Sequence, residues 1–366
     1  MVDAAVGARR SGAAAYAGLS VRTLVISDLH LGGRLGRDVL RHPEALALLL
    51  DAFDGIDRLV LLGDVIELAE GRSRQALELA EPILRAIGER IGADRQIVLV
   101  PGNHDRDFAR SWAQAQGADL AVDALVPNDA SALLVKVVGW LAPARVEVRT
   151  PGVWLSSRVW ATHGHYIDRH LLPESAYGMH RRRTTRERVG PAEYERARRP
   201  SVTWVETLVT RRLPRRLAAL ADGAADLVRA STMPSLPRRM QSHRLAPLAR
   251  RVLGFQMQRA ANAALAHVAA RLGVDADWVV YGHVHRNGPR AGDEVALWSG
   301  PDGRPRLANT GCWIYEPLLL HRGGAPHPYW PGGAIVVEDD GDPHAIGLLD
   351  RLDVAALHAA RPRWIP

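Results

Sequence analysis

Eight side chains of the types that bind metals or move protons fall where apolar runs stop: Asp28, His30, Asp64, Asn103, His104, His163, His283 and His285. Each lies next to a glycine or close to one. Carboxylate and imidazole donors together suit zinc, iron, manganese or nickel. With Cys312 as the only cysteine, a thiolate cage of the structural zinc kind is not expected. Two histidines at i and i+2, as in His283-Val284-His285, project to the same side of a strand end and suit either separate metals or one shared centre. Each residue alone has an ordinary explanation. An Asp after a strand caps a helix, a lone His near a strand end is hydrogen-bonded in place, and a turn such as Pro101-Gly102-Asn103-His104-Asp105 is rich in turn formers. Those explanations do not cover the recurrence of such donors at the ends of successive strands.

The elements that must position them can be read from the apolar periodicity. Arg22 to Ser27, Arg58 to Leu62 and Gln96 to Val100 read as buried strands, ending at Asp28, Asp64 and Asn103. Helical patterns follow the first two, from about Pro43 to Phe53 and over 73–92. This strand–helix alternation predicts a sheet covered by helices on both faces, with ligands bound beyond the strand C-termini. Arg145 to Arg149 and Arg158 to Ala161 read as short strands, the second ending at Thr162-His163-Gly164-His165. Trp278 to Tyr281, Arg306 to Asn309, Gly333 to Glu338 and Ala345 to Leu349 complete the strand text. No internal repeat is visible.

Between the two strand-rich parts the text changes. Residues 170–273 read as a helical, Arg-rich insertion, and 1–20 as a disordered Ala/Gly-rich extension in which Arg9-Arg10 only faintly echoes a twin-arginine signal. From His180 to Arg259 there are 19 arginines against 6 acidic residues, a net +13. The whole chain carries +7, so the remainder is net −6. The positive charge therefore belongs to the insertion and favours an anionic partner. Arg181 and Arg182, with His165, are the candidate substrate contacts, since arginine grips phosphate with a bidentate fork. Three partners compete for the insertion: a phosphate-containing substrate, nucleic acid and a protein surface. Leucines such as Leu208, Leu213 and Leu217 between the arginines add contact with a peripheral membrane surface as an option for a lipid-like substrate. No apolar run is long enough to span a bilayer; the best, Ala118 to Ala144, is interrupted by Asp119, Asp123, Asp129 and Lys136. One cysteine fits a reducing compartment, so a cytoplasmic location is expected, with membrane association through the basic insertion.

Five blocks taken together resemble the calcineurin-like metallophosphoesterase family: Asp28-Leu29-His30, Gly63-Asp64, Gly102-Asn103-His104-Asp105, Thr162-His163-Gly164-His165 and Gly282-His283-Val284-His285. The resemblance covers roughly 22–166 and 276–350. It implies an α/β fold, a two-sheet β-sandwich flanked by helices, formed by 21–169 and 274–366 with 170–273 inserted as a basic cap. It implies two divalent ions, manganese first among manganese, iron, zinc and nickel. Asp28, His30 and His285 would ligate one, Asn103, His163 and His283 the other, and Asp64 would bridge them. His104 is similar to the family's acid near the leaving group, with Asp105 expected to orient it. The implied reaction is hydrolysis of a phosphomonoester, phosphodiester or pyrophosphate by metal-activated hydroxide; a nuclease and a non-catalytic scaffold are the alternatives. Many members carry Asp where this chain has Glu67. The arrangement of the insertion also resembles the UDP-diacylglucosamine hydrolase branch. Asn309-Thr310-Gly311 resembles the turn that supports the last histidine block.

Overall fold

A computed structural model describes residues 21–33, 36–69, 73–170, 188–196, 260–315, 320 and 324–358. The extension 1–20, Arg181, Arg182 and most of the basic insertion lie outside the described residues.

Eleven strands among these residues form two sheets. β1 (Arg22–Ile26), β2 (Arg58–Leu62), β3 (Gln96–Val100) and β5 (Arg145–Thr150) run parallel and make the centre of a seven-stranded sheet. β4 (Ala124–Val126) closes one edge against β5. On the other side β10 (Gly333–Glu338) and β11 (His344–Gly347) pair antiparallel to β1 and to each other, giving the order β11-β10-β1-β2-β3-β5-β4. The second sheet has the order β6-β7-β8-β9. In it β6 (Gly152–Trp154) is antiparallel to β7 (Val159–Thr162), and β7, β8 (Trp278–Tyr281) and β9 (Arg306–Asn309) are parallel.

Side-chain alternation assigns the two faces of each central strand. Leu24 and Ile26 of β1, Leu59 and Leu61 of β2, and Ile97 and Leu99 of β3 join one core. Helices α1 (Pro43–Asp51), α2 (Ser73–Ile91) and α4 (Ala132–Trp140) cover that core. On α2, Ala76, Ala80, Ile83, Leu84, Ile87 and Ile91 recur at helical spacing and are buried. The residues between, Val25, Val60, Leu62, Val98 and Val100, point the other way and meet Val159, Ala161, Val280 and Ala308 of the second sheet. The large sheet thus has helices on one face only, and its other face packs on a sheet. This corrects the expectation of helices on both faces and agrees with the two-sheet sandwich. A strand buried on both faces reads as continuous apolar text whatever covers it.

The outer face of the small sheet, with Trp160, Val279 and Tyr281, is covered by a helix at 260–272 through Leu265, Val268 and Ala269, and by Tyr166 and Tyr194. Tyr194 belongs to α5 (Pro191–Arg196). The described ends of the 170–273 stretch are therefore packed layers of the body. Short elements not expected from the text are β4, β6, α4 and α3 (Arg110–Gln116). Among the described residues no helix is long and apolar enough to cross a membrane.

Candidate metal centre

The ligand-bearing loops leave β1, β2, β3, β7 and β8 at the same ends of their strands. Pairing along β1–β2–β3 and β7–β8 is parallel and in register, so the loops emerge side by side. They then brace one another through backbone amides. The Asp28 N–H donates to Gly63 O at 3.0 Å and the His30 N–H to Asp64 O at 2.8 Å. The His104 N–H donates to Asp64 Oδ1 (2.8 Å) and the His283 N–H to Asp28 Oδ2 (2.9 Å). Six described non-glycine residues have positive φ, and five are Asp28, His30, Asp64, His283 and His285. Such conformations cost about 1–3 kcal/mol each and persist where the surroundings impose them. Here they turn the side chains out of the strand direction into one common space.

In that space three sets of donor atoms each lie within 4.8 Å of one another: Asp28, His30 and His285; Asp64, His163 and His283; and His30, Asp64 and His104. Asp64 Oδ2 is the centre of the arrangement. It lies 3.2 Å from His163 Nε2, 3.8 Å from His30 Nε2 and 3.9 Å from His104 Nε2. Asp28 Oδ1 lies 3.2 Å from His285 Nε2 and 3.8 Å from His30 Nε2. Asn103 Oδ1 sits 3.1 Å from His163 Nε2, on the side where Asp64 also approaches. His163 donates from Nδ1 to Leu62 O at 3.0 Å, which turns Nε2 toward these oxygens. Gly63 is required for this approach: its φ is +86°, and a Cβ there would lie 2.4 Å from His163 Nδ1.

Burial and charge fit a cation. Asp28 and His163 are fully buried, and Asp64 is 2% exposed. Asp28 Oδ1 and His30 Nε2 are buried and lack a hydrogen-bond partner among the described residues. Burying such atoms without a partner is costly, and a divalent cation would pair both. Burial pushes the Asp28 carboxyl up, but His163 and His285 outweigh it and bring it to about 2. Asp64 is likewise held well below the usual range by His163, His104 and His30 against its own burial. Burial alone would lower His163; Asp64 and Asp28 instead raise it to about 9.

Glu67 has a larger part than the sequence suggested. Its carboxylate accepts from His30 Nδ1 (2.8 Å), His104 Nδ1 (2.7 Å) and the Ala69 N–H (3.0 Å). Burial raises its pKa, but the hydrogen bonds from His104 and His30 prevail and hold it at about 2. Asp105 is the residue expected to orient His104; the His104 ring is hydrogen-bonded through Nδ1 to Glu67. Asp105 is fully buried and accepts from the amides of Gly102 (2.6 Å) and Val65 (2.7 Å), so it fixes the turn that carries Asn103 and His104. Burial and the neighbouring Asp64 charge lift its pKa to about 6.

His165 stands beside His163, ring centroids 5.5 Å apart, and its buried Nδ1 has no partner among the described residues. Burial and the charges of His163 and His283 lower its pKa to about 3, so it is neutral. Asn309-Thr310-Gly311 supports the site as expected. Thr310 Oγ1 bonds Ser27 Oγ at 2.6 Å, Asn309 Nδ2 donates to Gly282 O, and Ser27 Oγ in turn bonds Asp28 Oδ2. Asp168, whose Oδ1 accepts from His283 Nε2 at 2.8 Å, reads in the sequence as an ordinary surface acid.

A family model described as calcineurin-like phosphoesterase matches residues 21–287, which hold every candidate ligand. No curated protein matches the chain. Solved structures similar to it include a cold-active protein-tyrosine phosphatase from a psychrophilic Shewanella species, at 12% identity, covering 90% of this chain and 78% of that one with a TM-score of 0.30. A point mutant of a cold-active protein tyrosine phosphatase has the same identity and coverages, with a TM-score of 0.27.

Proposed function

The chain belongs to the calcineurin-like phosphoesterase family, and from that premise we propose that it is a two-metal hydrolase of a phosphomonoester, phosphodiester or pyrophosphate. Asp28, His30 and His285 would hold one divalent ion, and Asn103, His163 and His283 the other. The position of Asp64 Oδ2, within 3.2–3.9 Å of three imidazole Nε2 atoms, is the observation that carries the reading: one carboxylate oxygen faces both ligand sets. Manganese is the first ion to test, with iron, zinc and nickel suiting the same donors. Such a pair, when bound, neutralises phosphate oxygens and makes a water acidic enough to attack near neutral pH.

The chain's own residues supply the rest. Glu67 fixes the His104 ring with its proton on Nδ1, so Nε2 faces the reacting space and can carry a second proton to the departing oxygen. The ionised Glu67 favours that charged form. Asp105 holds the loop on which Asn103 and His104 ride. His165, neutral and beside His163, is proposed as a further contact to a polar substrate group. The basic insertion, with Arg181 and Arg182, is the proposed source of further phosphate contacts, through its net +13 charge.

The test is hydrolysis by purified protein with added manganese. The panel holds p-nitrophenyl phosphate, bis-p-nitrophenyl phosphate, UDP-sugar lipids and single-stranded DNA, with Asp64→Ala as control. Turnover of one class, abolished in Asp64→Ala, supports the proposal and names the bond. Steep loss of binding with rising salt would mark a nucleic-acid substrate, and vesicle dependence a lipid-like one. Metal uptake with no turnover of any substrate would refute it.

A further inference from the structure

We propose that Asp168 is the positioning residue of the second metal site, holding His283 so that its Nδ1 is the atom offered to the cation. The inference rests on the two-metal reading above. An imidazole has two nitrogens, and the hydrogen bond made by one decides what the other can do. The His283 Nε2 lies 2.8 Å from Asp168 Oδ1. With a carboxylate there, Nε2 carries the proton and Nδ1 keeps its lone pair. The same ring lies in the donor cluster with Asp64 and His163, its centroid 5.3 Å from that of His163. Metal-ligating histidines commonly donate their second N–H to a carboxylate or carbonyl, which fixes the tautomer and makes the ligand more basic. His163 follows that pattern through Leu62 O, and His30 through Glu67. Asp168 completes it for His283.

The location gives this contact a second meaning. Asp168 lies on the 3-10 turn His165–Arg169, which leads from the His163 loop toward the basic insertion. Its side chain is 54% exposed, while that of His283 is 16% exposed. His283 sits on a separate loop, 115 residues away in sequence. Asp168 thus ties the entrance of the insertion to a residue of the metal centre.

The experiment measures metal binding directly. Wild-type protein, Asp168→Ala and Asp168→Asn are stripped of metal, titrated with Mn2+, and followed by calorimetry and by the electron paramagnetic resonance signal of coupled manganese pairs. Asparagine keeps an oxygen that can accept from Nε2–H, whereas alanine leaves nothing. One of the two binding steps is expected to lose affinity about 10- to 100-fold in Asp168→Ala, with the coupled-pair signal lost at limiting manganese. Asp168→Asn should recover most of that loss, and the other step should stay within about twofold in both variants. Unchanged binding in Asp168→Ala would overturn the assignment. So would an equal loss at both steps. Tighter binding would overturn it too, because Asp168 would then be competing with the cation for Nε2. If the wild-type protein itself takes up no manganese, the two-metal reading fails, a result distinct from all of these.

Discussion

Replacing Glu67 by Gln tests how the site assigns its protons. The carboxylate accepts three hydrogen bonds, from His30 Nδ1 at 2.8 Å, His104 Nδ1 at 2.7 Å and the Ala69 N–H at 3.0 Å. Glutamine keeps the shape but has one accepting oxygen and one donating NH2. If its oxygen faces His104 and Ala69, the NH2 faces His30. His30 must then carry its proton on Nε2, the atom that points at Asp28 and Asp64. If the oxygen faces His30 instead, the NH2 opposes the Ala69 N–H, and His104 loses the carboxylate that favours its charged form. One charge-assisted hydrogen bond in a buried site is worth about 1.5–3 kcal/mol, or roughly 10- to 150-fold. The expected result is a loss of that order in manganese affinity at the tighter or weaker step. At saturating manganese a further deficit in kcat should depend on the leaving group. An alkyl phosphate ester, whose departing oxygen needs a proton, should lose about 10²- to 10⁴-fold. A p-nitrophenyl ester, whose phenolate leaves without one, should lose little. Rate constants for the two esters, measured at several manganese concentrations, decide it. Equal losses for both esters would refute the acid role of His104, and unchanged manganese affinity together with unchanged kcat would refute the bridging role of Glu67.

Other outcomes follow from the charges and the packing. Because His163 holds a proton up to about pH 9 in the metal-free protein, manganese must displace it. Apparent affinity at that site should rise about tenfold per pH unit between 7 and 9, with one proton released per ion, countable by calorimetry in buffers of different ionisation heat. The stability of the metal-free protein should peak near pH 6.5. Toward alkali, His163 (raised to about 9 from 6.5) stabilises below 6.5 and loses that contribution as pH climbs to 9. Toward acid, Glu67 (lowered to about 2 from 4.5) loses its contribution between 4.5 and 2, about 3 kcal/mol in all. His165 and His170, lowered to about 3 and about 4, lose theirs below 6.5, and Asp105, raised to about 6, offsets part of this. Thermal melts of chelator-treated protein across pH 3–9 test that profile. Gly63→Ala should destabilise the protein by about 2–4 kcal/mol, since its Cβ would meet the His163 ring at a backbone angle unfavourable to alanine; a melting temperature within a degree of wild type would contradict the packing described.

Much of the fold was legible for a specific reason. β2 and β8 read with their observed bounds because each is buried along its whole length, and β3 because all but its first residue is buried, leaving apolar text between polar turns. β4 and β6 have three residues each, too few for any period to show. α4 is apolar nearly all round, so Ala132–Trp140 gives no amphipathic signal. Alternation within a strand does not say whether a helix or another sheet covers the far face, which is why the sandwich came from the motif resemblance and not from periodicity. The side chains of the candidate clusters were legible because the ends of neighbouring parallel strands converge. The bonds of Asp105 to the Gly102 and Val65 amides were not legible, because adjacency in sequence says little about side-chain direction on a tight turn. Asp168 was missed because its partner lies far along the chain.

The candidate metal centre is a set of mutual constraints, and this explains why it tolerates so much unfavourable geometry. Five residues of the candidate clusters have left-handed backbone conformations, and carboxylates and imidazoles are buried together. Neither feature is stable in isolation. Backbone amides hold the buried carboxylates: His283 to Asp28, His104 to Asp64, and Gly102 and Val65 to Asp105. At His283 a left-handed corner directly satisfies the buried charge of another loop. The β1 loop and the β8 loop, 255 residues apart, are joined in this way. Such a site is arranged before the cation arrives, so binding need not pay for ordering the loops.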